Sequence, residues 1–521
     1  MNGETGGSRG PRRAGALAVV AAVAVLTACG GSPSSSVGSA STESTTYRAD
    51  LAYAQCMRTH GVPSFPDPNP SAGINISGQP HGNPNSPAAR ANNACDHLLA
   101  ADSTGTGSAT GTGSATGTGS ATTPATASPP GAAATDCLGS LPCYTPRQFR
   151  VAYGIQPLLD RGIDGRGVTV ALPEEAETGP AQTPAVTDIR QDVADFDHRF
   201  GLPPARIQVI TTLAGSSASP WLASEEEVED TELVHAVAPD ATIREILVDP
   251  AEVSTPAKFA ATWATAVRIA ARNGEVISQS GIGQDFNLGD DSWTSAEVAT
   301  MNSALEYAAD RQVTVVVASG DEGVLGNGST TPVKEVILPT SDPLVLGVGG
   351  TSLTANPVTG AYISETAWST PSSGSGGGFS RLLARPAYQD GVPGIGATRG
   401  VPDVAADAEG STGMALAFSA PGGSYELIGA GGTSAGAPFW AGLIALADQE
   451  AGHPLGFVNP AIYRIARGPL YHKAFHDVTT GSNTVVLNGV TITGYQAGPG
   501  WDPVTGWGTP DAQVLIPLLA R

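Results

Sequence analysis

The chain has 521 residues, of which 66 are glycine and 41 proline, and only 14% are charged. That length allows two or three domains, and the small-residue, low-charge balance argues against a helical bundle. A formal net charge of −22 argues against a nucleic-acid partner, since binding phosphates requires clustered Lys and Arg, and reads as the solubilising charge of an exported protein.

At the N-terminus Arg9, Arg12 and Arg13 precede the apolar run AGALAVVAAVAVLTA, residues 14 to 28. The run is short for a membrane span and predicts the apolar region of a signal peptide over residues 1–28. It ends in LTAC, which resembles the lipobox of bacterial lipoproteins. That resemblance implies a lipid on Cys29 and anchorage of the mature chain at the outer face of a membrane. Residues 29–47 then form a flexible tether of small polar residues.

The stretches LAYAQCMRTHGVPSFPDPNP and AARANNACDHLLA predict a small helical module over residues 48–100, with a proline-rich loop between its cysteines. Setting Cys29 aside leaves Cys56, Cys95, Cys137 and Cys143, an even number that in an exported chain suggests two disulfides. Cys56 with Cys95 would staple the module, and Cys137 with Cys143 would close a tight loop. None of these spacings carries a paired ligand set for a metal. Residues 101–135 repeat GTGSAT and read as a disordered linker.

From Asp136 the pattern changes. GVTVAL (167–172), ATIREILV (241–248), EVISQSG (275–281), VTVVVASG (313–320) and LVLGVGG (344–350) predict short buried strands. Helical stretches such as PAVTDIRQDVADFDHRF (184–200) and TSAEVATMNSALEYAADRQ (294–312) lie between them. Alternating strands and helices imply an α/β fold with a doubly wound, mostly parallel sheet over residues 136–521, whose chemistry collects at the C-terminal strand ends.

GGTSAGAPFWAGLIALADQE, residues 431 to 450, places Ser434 on a small-residue elbow that opens a helix. Such an elbow suits a nucleophile, because glycines allow the sharp turn and the helix N-terminus supplies N–H donors and a positive dipole end. A serine hydroxyl still needs a base. Subtilisin-like proteases share a Gly-Thr-Ser elbow and this kind of sheet, but they need an aspartate after the first strand and a histidine in an HGTH setting. The first strand here runs GVTVALPEEAETG, and none of the eight histidines sits in that setting. His235 falls on the corresponding helix, well past its start.

That helix carries instead EEEVEDTELVHAVAPDA, residues 225 to 241. Glu226 and Asp230, four apart, share one helix face and can share a proton. Glu225, Glu227 and Glu229 compete for the same role, and the acidic run by itself also fits a solvated helix face. With this segment the chain resembles the sedolisins, the serine-carboxyl peptidases, which keep the subtilisin fold and replace histidine by glutamate. Their helix carries Glu-x-x-x-Asp and an Ala-Pro segment eight residues on, a register that selects Glu226 here. VVVASGDEG (315–323), VISQSGIG (276–283), LPTSDPLVLGVGGTSL (338–353), SGGGFS (375–380), VPDVAADA (401–408) and GFVNPAIY (456–463) resemble further family segments in the expected order. The resemblance spans roughly residues 136 to 521.

It implies a subtilisin-like fold in which Glu226 is the general base for Ser434, Asp230 orients Glu226, and Asp321 donates to the oxyanion. An Asp321 that must stay protonated implies an acidic pH optimum. The stretches FHDVTTGSN and GYQAGPGWDPVTGWGTPD resemble the family's calcium site. They imply one structural Ca²⁺ on the Asp477 and Asp502 carboxylates and the Val478, Gly498 and Gly500 carbonyls, an oxygen set suited to that ion. Two features depart from the family: no segment resembles its long prodomain, and PEEAETGP (173–180) does not match its usual loop. The expected protein is a monomeric, secreted or lipid-anchored peptidase acting on peptides or proteins. The alternative is a catalytically silent surface lipoprotein that binds peptides or cell-wall material.

Overall fold

A computed structural model describes Cys56, residues 58–59, 135–137, 141–177, 187–212, 220–272, 274–280, 282, 289–325, 333–420, 424–487 and 489–521. The signal segment, Cys29, the tether, Cys95 and the 101–134 repeats lie outside the described residues. The chain divides into two units, and the smaller is described only at Cys56, Arg58 and Thr59. Cys56 and Cys143 are each disulfide-bonded. A hairpin pairs Thr135–Cys137 with Leu141–Cys143. Among the described residues no helix is long and apolar enough to cross a membrane.

The larger unit is built on an eight-stranded sheet. In chain order its strands are β1 (Thr169–Glu175), β2 (Arg206–Thr211), β3 (Thr242–Val248), β4 (Val276–Gln279), β5 (Val315–Ala318), β6 (Leu346–Ala355), β7 (Tyr362–Ala367) and β8 (Val404–Asp407). They lie in the order β7–β6–β5–β4–β1–β3–β2, with β8 pairing along β6. Every pairing is parallel except β6 with β7. The five strands expected from the apolar runs are β1, β3, β4, β5 and β6. Burial on both faces explains why they read as continuous Val/Ile/Leu runs instead of alternating ones.

Helices cover both faces, as parallel crossovers require. α1 (Ile189–Phe200), α2 (Glu225–Val237), α3 (Pro256–Ala271), α4 (Ser295–Ala309), α5 (Gly432–Ala451) and α6 (Ala512–Leu519) are the main ones. Their starts are written locally. Ser224 with Glu227 and Thr294 with Glu297 form capping boxes on α2 and α4, and Thr255 caps α3 ahead of Pro256. Gly201 and Gly452 end α1 and α5 in the left-handed conformation. Phe259, Trp263, Met301 and Leu305 form the core under α3 and α4. On the other face α5 packs against α2 and α6, burying Val234, Phe439, Trp440, Leu443 and Ile516. α5 is enclosed on nearly all sides, which is why its sequence is apolar all round.

Candidate active site

Four connections bring the chemistry to one end of the sheet. Glu174 is the last residue but one of β1, Ser280 directly follows β4, Asp321 lies three residues beyond β5, and Ser434 sits in the first turn of α5. This is the C-terminal edge of the parallel strands, where strand ends and helix N-termini converge.

The elbow before Ser434 depends on glycine. Gly432 has φ +71°, and a Cβ there would collide with the Asp321 carboxylate. The same contact holds Asp321 in place: its Oδ1 accepts from the Thr433 N–H and from Thr433 Oγ1, both at 2.8 Å. Thr433 Oγ1 in turn accepts from the Gly320 N–H at 2.9 Å. The Ser434 N–H belongs to the first helical turn, which has no intrahelical acceptor. Pro438 lacks the N–H that would bond the Ser434 carbonyl four residues back.

Ser434, Glu226 and Asp321 line one cleft of about 300 Å³, together with Ser280, Glu322, Thr433 and the apolar side chains of Phe259, Ile282, Val317, Ile337 and Leu338. Among the described residues no histidine lines it. Asp230 is fully buried behind this wall, where Oδ2 accepts from the Ser280 hydroxyl and the carboxyl shares a hydrogen bond with Glu174.

Beyond Glu225 the acidic run on α2 is therefore turned inward, not a solvated face. Its carboxyls point in four directions. Glu225 is exposed, Glu227 reaches back to the Ser224 N–H as the capping partner, Glu229 accepts from the Gly431 N–H at 3.2 Å, and Glu226 faces the cleft. Burial raises the pKa of Asp230 well above the usual range, and the neighbouring Glu226 adds to this, while the bonds from Ser280 and Glu174 oppose it. Burial likewise raises Glu174, Glu227 and Glu229. Asp321 is raised by burial against the two Thr433 bonds, and burial beside Asp321 pushes Glu322 up to about 7. These side chains are thus disposed to stay neutral above the pH at which free carboxyls ionise. Glu174, Ser280 and Thr433 went unassigned in the sequence. The signal for Glu174 was its place at the end of the first strand, inside the segment that looked like a departure.

The C-terminal loop gathers the other expected residues. Gly500 N–H donates to both oxygens of Asp477 at 3.0 and 3.2 Å, and Tyr471 O–H donates to Oδ1. Asp502 is buried and takes the N–H groups of Gly498, Val504 and Thr505, and burial pushes its pKa up to about 6. Among the described residues no donor reaches the carbonyls of Val478, Gly498 or Gly500. Two ordered carboxylates beside three unclaimed carbonyls fit a hard, oxygen-seeking cation. No group of three or more His, Cys, Asp or Glu side chains suited to a metal occurs among the described residues.

No protein-family model matches the chain. Kumamolisin from Bacillus sp. (strain MN-32) is 34% identical over 395 residues, covering 73% of this chain and 64% of kumamolisin. Tripeptidyl-peptidase 1 from Macaca fascicularis is 35% identical over 260 residues, and the human protein is 34% identical over 260; each alignment covers 44% of this chain and 41% of the relative. The chain thus spans somewhat under two thirds of kumamolisin and under half of the tripeptidyl-peptidases it matches. Among solved structures, Pseudomonas sedolisin, a serine-carboxyl proteinase, superposes with a TM-score of 0.59 at 25% identity, over 73% of this chain and 98% of that one. Sequence and structure together make this chain a homologue of kumamolisin, tripeptidyl-peptidase 1 and sedolisin, built on the α/β fold of the serine-carboxyl proteinases.

Proposed function

We propose that the chain is a serine-carboxyl peptidase that hydrolyses peptide bonds at acidic pH. The observation that carries this is the convergence of Ser434, Glu226 and Asp321 on one cleft with no histidine among its described lining residues, backed by the buried Asp230. Glu226 takes the proton from Ser434 Oγ as that oxygen attacks the scissile carbonyl, then returns it to the leaving amine. Asp230 orients Glu226 and shares its proton, as adjoining carboxyls do. Asp321 in its neutral form and the Ser434 N–H donate to the tetrahedral oxyanion. An ionised Asp321 would repel that oxyanion, and the burial that raises its pKa supports the neutral form.

Asp477 and Asp502, with the carbonyls of Val478, Gly498 and Gly500, would hold one calcium ion. Its contribution would be electrostatic, tying the C-terminal loop to the strand Phe475–His476 that precedes Asp477. The basic and apolar N-terminus supports export, and LTAC supports a lipid on Cys29. The substrate class is a peptide or protein.

The test compares the mature full-length chain with its Ser434→Ala variant on a mixed peptide library at about pH 4 and about pH 7, bracketing the carboxyl range. Cleavage at low pH that fades toward neutrality and is absent from the variant is the expected result. The cut positions then distinguish an endopeptidase from a tripeptidyl-peptidase. A folded chain that cleaves at neither pH would overturn the reading in favour of a silent peptide-binding protein.

A further inference from the structure

We infer that Ser280 is a positioning residue that holds the Asp230 carboxyl toward Glu226 and sets the pH at which this acid pair gives up its first proton. The inference rests on the peptidase reading above. Ser280 is the first residue after β4 and lines the cleft together with Glu226 and Ser434. Its hydroxyl donates to Asp230 Oδ2, a contact that joins residues fifty apart in sequence.

The surroundings of Asp230 explain why this donor matters. Glu226 and Glu229 face it from its own helix, Glu174 from β1 and Glu245 from β3, while the Asp321 carboxyl acts on Glu229. All of these groups are acids, and Asp230 itself is fully buried. A carboxylate in such a place can carry charge only where donors favour the anion. Glu174 can donate only while it keeps its own proton. The Ser280 hydroxyl donates at every pH in the working range, because it does not titrate there. Among the described residues it is thus the contact on Asp230 whose support does not vanish as the neighbouring acids ionise.

Ser280 does not touch the reacting atoms in this scheme. It acts through Asp230, which then accepts or shares the proton of Glu226. Without the hydroxyl, the pair holds its proton to higher pH, and the fraction of enzyme with a free base at acidic pH falls.

The experiment measures kcat and kcat/KM from about pH 2 to about pH 7 for the mature wild-type chain and for Ser280→Ala, Ser280→Thr and Ser280→Cys, with a urea midpoint for each as a check on folding. The alanine variant should displace the acid limb of kcat/KM upward by about one pH unit, the scale of one lost hydrogen bond to a charged group. Threonine, which keeps the hydroxyl, should restore the limb. Cysteine, a weak donor of similar size, should give an intermediate displacement and keeps the test open if alanine does not fold. A limb that stays in place in both the alanine and the cysteine variants, whether kcat drops uniformly or not at all, would overturn the inference and leave Ser280 a packing residue. A folded wild-type chain with no activity would overturn the peptidase reading and this role with it.

Discussion

Replacing Glu245 by Gln should remove one large step from the pH dependence of this fold's stability. Glu245 lies on β3, between β1 and β2, and is only 3% exposed. Thr231 Oγ1 donates to its Oε1 at 2.6 Å, and Oε2 has no partner among the described residues. Burial pushes its pKa from 4.5 up to about 8, with the Thr231 bond opposing. The folded chain therefore keeps a proton that the unfolded chain has already released. Its contribution is complete below about pH 4.5, declines as the pH rises, and is lost above about pH 8. At ~1.4 kcal/mol per pH unit that interval amounts to about 5 kcal/mol, comparable with the whole stability of many domains, ~5–15 kcal/mol. The assay is urea unfolding followed by tryptophan fluorescence at pH 4 and pH 8. It is run in a Ser434→Ala background to suppress self-digestion. Between the two pH values the Glu245→Gln chain should lose about 5 kcal/mol less than its parent. Equal losses would refute the argument, because they would mean that Glu245 ionises in the folded state as easily as in the unfolded one.

Asp321→Asn keeps an N–H donor at every pH, so it should move the alkaline limb of kcat/KM upward while lowering the maximal rate by about tenfold or more, since an amide is the weaker donor; a limb that stays put would remove Asp321 from the oxyanion role. Arg399→Met strands the carboxylate of Asp403, with which Arg399 forms a two-pronged ion pair at 2.6 and 2.9 Å, both side chains fully buried. It should cost about 3–5 kcal/mol in the urea midpoint, and a loss below about 1 kcal/mol would show that Tyr463, Asn459 and the Gly347 N–H, which also reach Asp403, suffice without the cation. Removing calcium with a chelator should lower Tm by about 5 °C or more, restored by adding the ion back. An unchanged Tm, or the same drop in an Asp502→Asn chain, would place the effect elsewhere.

How much was legible before folding differs from residue to residue. The elbow at Ser434 could be read directly, because glycines that allow a sharp turn act within a few residues. The strands could be read because burial on both faces leaves runs such as VTVVVASG, although β7, short and paired antiparallel at the edge with partly exposed residues, did not stand out. The choice among Glu225, Glu226, Glu227 and Glu229 was different. Consecutive helix positions differ only by rotation about the axis, and which one meets the cleft is decided by how α2 packs on α5.

By itself the sequence determined the α/β alternation, the nucleophile elbow, the spacing of Glu226 and Asp230 and the aspartates of the C-terminal loop, since each is written in local pattern and short-range geometry. Only the tertiary structure decided that the acidic run beyond Glu225 is turned inward, that Glu174 and Ser280 meet Asp230, and that Thr433 fixes Asp321. Those contacts join segments between 50 and 112 residues apart. Their strength comes from burial, which no stretch of chain acquires until the sheet and its helices close over it.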